Sequence, residues 1–171
     1  MRLGTTAVLA ALSAAAIAAG CGSSSDSSGS SSSGGGYGGG SSPTTAAVSS
    51  GAATVKTASG KLGTYLVDGQ GRTLYLWEAD KGSKSTCSGA CAAAWPPATT
   101  EGAPKAAGDA KASLLGTTKR SDGSTEVTYA GHPLYRFAGD AKPGQASGQG
   151  SDGFGAEWYV VDPAGKAIDD D

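Results

Sequence analysis

The side chains able to do chemistry are few and fall in short segments. Cys87 and Cys91 stand in Cys87-Ser-Gly-Ala-Cys91, the single histidine is His132, and a Tyr-x-aromatic-x-x-Asp pattern occurs twice. Its copies are Tyr75-Leu-Trp77-Glu-Ala-Asp80 and Tyr135-Arg-Phe137-Ala-Gly-Asp140. Two thiols this close, in a chain read as exported, form a disulfide most economically, clamping a turn with a modest chain-entropy gain. The alternative is a redox dithiol, or a copper or haem site with Cys87, Cys91 and His132 as donors. A CxxCH haem-attachment motif is absent, and apart from that alternative no cofactor is expected.

Residues two apart on a strand share a face, so Tyr75 lies beside Trp77 and Tyr135 beside Phe137. Asp80 and Asp140 then fall just past the strand ends, where a carboxylate accepts backbone N–H groups of the following turn. The bland reading is a repeated core-and-turn motif. The sharper one is an aromatic platform that stacks a planar ligand or a sugar. His132, between Gly131 and Pro133, is expected in a hairpin turn with its ring toward solvent. No Ser/Lys, nucleophile-elbow, zincin, dinucleotide or phosphate-loop pattern is present, so no catalysis is expected.

The elements that must position these groups are strands. Thr64–Asp68 and Thr73–Trp77 flank a Gly-bearing turn, Thr125–Tyr129 and Pro133–Phe137 repeat the arrangement around Ala130-Gly-His132, and Glu157–Val161 is a fifth run. The two halves read as a duplication. Leu74-Tyr75-Leu-Trp77 answers Leu134-Tyr135-Arg-Phe137, Leu62-Gly-Thr64 answers Leu115-Gly-Thr117, and Trp95 falls where Trp158 does. The predicted fold is mostly β: two copies of a hairpin-based repeat, about 62–97 and about 115–163, packed on one shared core. The Gly-rich stretch 144–155 is expected to fold over the sheet, since no helix pattern follows it to cradle a phosphate.

Residues 1–20 read as a signal peptide: Arg2, then an uncharged run of small and aliphatic residues. Ala18-Ala-Gly-Cys21 resembles a lipobox, which makes Cys21 the lipid-carrying residue and the membrane the first partner. Two or three acyl chains on one cysteine anchor a protein stably. Residues 21–53 are nearly all Ser, Gly, Ala and Thr and are expected to be a disordered tether reaching roughly 30 Å. The foldable part is 54–166, followed by an acidic tail, 167–171. The formal net charge of −2, with lysines and arginines scattered, excludes nucleic acid as the main partner.

Together these motifs resemble the secreted-repeat lipoproteins of unknown function, marked by Tyr-x-(Phe/Trp/Tyr)-x-x-Asp. The resemblance covers about Leu62 to Gly165 and includes Cys87-x-x-x-Cys91-x-x-x-Trp95-Pro-Pro97 and Tyr129-Ala-Gly-His-Pro-Leu-Tyr135. It implies export, palmitate-type lipidation at Cys21 and the repeat, and no catalytic residues. The expected protein is therefore a lipid-anchored cell-envelope module that binds or supports without catalysing. The alternatives are a redox or metal-handling protein and a carbohydrate-binding module stacking sugars on Tyr75, Trp77, Tyr135 and Phe137.

Overall fold

The computed structural model describes residues 51–169. The expected leader, the lipid acceptor Cys21, the tether up to residue 50 and the last two residues of the acidic tail lie outside the described residues.

In chain order the elements are β1 (Thr54–Gly60), β2 (Gly63–Asp68), β3 (Tyr75–Trp77), α1 (Ala90–Ala94), β4 (Lys105–Ala106), β5 (Leu115–Lys119), β6 (Thr125–Tyr129), β7 (His132–Pro133), β8 (Ser151–Gly153) and β9 (Ala156–Val160). They form three small sheets ordered β2-β1-β4, β3-β9-β8 and β5-β6-β7, antiparallel except where β4 runs parallel to β1. β1 carries no strong apolar signal because only Val55 of its seven residues is buried. It is held by six registered partners in β2 instead.

Both expected hairpins are present but shorter than their sequence runs. After the bridge between Val67 and Thr73, the chain leaves β2 and pairs with β9. After β7, Tyr135 leaves β6 and bridges to Tyr75 and Pro97. The second turn is Ala130-Gly131, with φ of 50° and 85°. Two consecutive residues at positive φ match the twist of a tight hairpin.

Backbone hydrogen bonds reveal how the repeats are joined. Leu74 N donates to Leu66 O at 3.0 Å, and Leu134 N to Val127 O at 3.0 Å. Val161 N donates to Leu74 O and Leu66 N to Val161 O; likewise Ala98 N donates to Leu134 O and Val127 N to Ala98 O. Leu66, Leu74 and Val161 thus correspond to Val127, Leu134 and Ala98. The third member of each set comes from the opposite half of the chain, so each repeat completes the other. At the centre, Tyr75 and Tyr135 exchange two N–H to C=O bonds of 2.9 Å, the mark of a local two-fold relation.

This register corrects one sequence correspondence. Val55 opposite Asp68 matches Leu115 opposite Tyr129, so β5 answers β1. The shared Leu-Gly-Thr letters at Leu62–Thr64 and Leu115–Thr117 therefore sit at different places in the two copies.

The core that the repeats share lies on two faces of the central strands. Tyr65, Val67, Tyr75, Trp77, Tyr135 and Trp158 belong to one cluster with the two cysteines, while Leu66, Leu74, Val127, Leu134 and Val161 belong to another. Burial on both faces explains why these runs read as nearly continuous apolar stretches. The Gly-rich stretch does fold against the core: a Cβ on Gly148 would meet the Trp95 ring at 2.5 Å, so only glycine lets the backbone pass there.

Candidate functional site

The repeated motif converges at the centre of the fold. Tyr75 Oη donates to Asp140 Oδ2 at 2.6 Å, and Tyr135 Oη donates to Asp80 Oδ2 at 2.5 Å. Each tyrosine reaches the aspartate of the other copy. This follows from the central pairing, because Tyr75 and Tyr135 lie antiparallel and opposite. The second oxygen of each carboxylate holds its own loop: Asp80 Oδ1 accepts Thr86 N at 2.8 Å, and Asp140 Oδ1 accepts Ser147 N at 2.8 Å. The turn-capping role expected of these aspartates is thus one half of what they do.

Burial pushes both phenols well above the ordinary tyrosine range, with Asp140 adding to the effect at Tyr75 and Glu126 and Asp80 at Tyr135. They remain O–H donors at any working pH. A buried donor on a buried carboxylate is strong when made and costly when half removed.

The rings are arranged by the same two-fold relation. Trp95 stacks on Trp158 with centroids 4.0 Å apart and planes 2° apart. Tyr75 meets Trp95 edge-on at 5.2 Å, as Tyr135 meets Trp158 at 5.2 Å. Trp77 lies on Trp158 at 5.1 Å and Phe137 on Trp95 at 4.5 Å. The expected correspondence of Trp95 with Trp158 is therefore direct contact.

Tyr75 and Tyr135 are fully buried and Trp77 is 7% exposed. This corrects the carbohydrate-stacking alternative: Tyr75 and Tyr135 pack against Trp95 and Trp158, Trp77 stacks on Trp158, and of the four rings only Phe137 is partly open. The motif is a core motif.

Cys87 and Cys91 are joined in a disulfide with Cα atoms 5.3 Å apart, both buried. The bridge spans the entry to α1, whose Cys91 carbonyl accepts Trp95 N at 2.7 Å, so the clamp helps to set the stacked tryptophan. The alternative donor set Cys87, Cys91 and His132 is not assembled. The sulfurs are bonded to each other, and among the described residues no group of three or more His, Cys, Asp or Glu side chains is placed to hold a metal ion.

His132 also departs from expectation. It is the first residue of β7, opposite Tyr129 and half-buried, because the two-residue turn ends before it. It lines a cleft of about 550 Å³ with Trp77, Asp80, Lys81 and Lys166.

Sequence reasoning missed a buried polar chain beside the motif. Arg120 donates to Glu126 Oε2 at 2.8 Å, to Cys87 O at 2.6 Å and to Ser85 Oγ; Ser85 is hydrogen-bonded in turn to Tyr135 Oη at 2.7 Å. Glu126 is fully buried, and its Oε1 has no partner among the described residues. Burial raises its pKa to about 7, against the pull of Arg120. Because the folded value lies above the ordinary 4.5, this group stabilises the fold fully below about pH 4.5, and the contribution is lost as pH rises through 7. Glu126→Gln is expected to flatten the fall in Tm between pH 5 and 8, as read by thermal denaturation across that range; an unchanged slope would show that Glu126 does not cause it.

The model of a family described as a secreted repeat of unknown function matches residues 56–99 and 116–162, more than half of the chain. The chain belongs to this family. Both matches open on the hairpin strands β1 and β5, and the secreted-repeat boundaries thus follow the strand correspondence that the hydrogen bonds give. Each secreted repeat contains one Tyr, one aromatic and one Asp of the interlocked centre. A search of curated proteins finds no match, and a search of solved structures finds none.

Proposed function

We propose that this secreted-repeat protein is a lipoprotein of the cell envelope, anchored through acylated Cys21, whose domain is a noncatalytic module presented beyond a Ser/Gly-rich tether. The observation that carries the reading is the fate of the motif. Its two phenols and two carboxylates are paired with each other inside the fold, where they build structure and offer no group to a substrate. The Ser/Gly tract behind Cys21 gives such a module the reach of a tethered surface domain.

The test is fractionation of cells expressing the full chain and its Cys21→Ala variant, with mass analysis of the N-terminal fragment. The wild type is expected in the membrane fraction with palmitate-type acyl mass on Cys21, and the variant in the soluble fraction or medium. Equal membrane retention of both, without acyl mass, would overturn the anchoring.

A further inference from the structure

The two-fold relation also shows where the copies have diverged. The register sets Asp68 against Tyr129, Arg72 against His132 and Leu76 against Arg136. At three positions where the second hairpin and its neighbour carry Tyr, His and Leu, the first carries Asp, Arg and Arg. Where one set has a large phenol and a buried leucine, the other has a short carboxylate and a guanidinium. An open cavity of about 210 Å³ lies there, lined by Thr54, Asp68, Gly69, Gln70, Thr99 and Arg136.

Positive charge exceeds negative around Asp68. Asp68 is 4% exposed and accepts four hydrogen bonds: from Gln70 N at 2.9 Å, Arg72 N at 3.0 Å, Arg72 Nε at 3.0 Å and Arg136 Nε at 2.8 Å. One carboxylate faces two guanidiniums, and Lys56 Nζ donates at 3.1 Å to the carbonyl of Gly69, a lining residue. Each arginine uses only Nε. The Nη groups of Arg72 and Arg136 make no hydrogen bond to the described residues. The Arg136 side chain as a whole is 18% exposed. Burial and the like charge of Arg72 lower its pKa, the sign of positive charge without enough counter-charge.

We propose that this cavity is a binding site for a small oxyanion, a carboxylate or phosphate group, held by the Nη fork of Arg136 with Arg72 and Lys56 adding charge. A planar fork matches the two oxygens of such a group, and a partly desolvated guanidinium gains more from the pairing than an exposed one. Asp68 holds Nε, which leaves the end-on N–H groups of Nη1 and Nη2 without a bond to it. The inference goes beyond the anchored-module reading and does not depend on Cys21.

The test is calorimetric titration of the full chain in neutral detergent with inorganic phosphate and with acetate, each against chloride at equal ionic strength. At least one of the two is expected to bind with one equivalent per chain. Arg136→Leu, which installs the residue of the matching position, is expected to weaken binding at least tenfold; Arg136→Lys, which keeps charge and loses the fork, severalfold. Lys81→Gln, an exposed lysine elsewhere, is expected to bind as wild type. Near-UV circular dichroism checks that each variant is folded, and if the leucine variant is not, the lysine variant decides alone. Absence of binding by both anions above the chloride control, or wild-type binding by the folded Arg136 variants, would overturn the site.

Discussion

Replacing Trp158 by alanine lowers the unfolding free energy by about 4 kcal/mol, the middle of the range for a buried aromatic, and leaves a small domain close to unfolding. The expectation rests on position. Trp158 is fully buried, sandwiched between Trp95 and Trp77, met edge-on by Tyr135, and its Nε1 donates to Gly153 O at 3.0 Å. These contacts join both repeats, so the cavity cannot close by collapse of one hairpin alone. Urea unfolding followed by tryptophan fluorescence or circular dichroism measures the loss; a change below about 1 kcal/mol would mean that the stacked rings are not the structural centre.

The second large effect is that of Tyr75→Phe with Tyr135→Phe. Two hydroxyls vanish and two buried carboxylates lose their phenol donors. Removing one partner of a buried charged hydrogen bond costs about 2 kcal/mol, so the pair is expected to lose about 4 kcal/mol with little change in shape. Equilibrium denaturation of the double variant reads the loss directly. Because the hydroxyls are internal donors, the effect should be equal with and without added small-molecule ligands. Stability within 1 kcal/mol of wild type would remove the crossed bonds from the account.

Much of this architecture was legible in the chain, for identifiable reasons. Gly-bearing turns between β-branched runs gave the hairpins, and spacing of two placed Tyr75 with Trp77 and Tyr135 with Phe137 on one face. The close cysteine pair gave the disulfide. β1 was not legible because Thr54–Gly60 presents one buried apolar side chain and draws its order from pairing. Crossing of the repeats was hidden for a different reason: local sequence fixes which residues share a face, but not which tyrosine will meet which aspartate. That depends on the long-range Tyr75–Tyr135 bridge.

The buried charges did leave a signal. In the alignment of Leu74-Tyr-Leu-Trp77 with Leu134-Tyr-Arg-Phe137, Arg136 already stands opposite a core leucine. A charge at a position whose twin is apolar marks a place where the copies differ in purpose. Glu126 is the same case, since the strand register sets it against the buried Tyr65. Its neighbour Arg120 lies beyond β5, outside any periodic pattern, and only the fold brings the two together.

Whether the family motif interlocks the two repeats is decided by a pair of double-mutant cycles on the full chain. One cycle combines Tyr75→Phe with Asp140→Asn, and the other Tyr75→Phe with Asp80→Asn, each read by urea unfolding. A coupling of at least about 1 kcal/mol is expected across the repeats, between Tyr75 and Asp140, and additivity within about 0.5 kcal/mol between Tyr75 and Asp80 of the same copy. Coupling confined to Tyr75 and Asp80 would contradict it, since each motif would then close on itself.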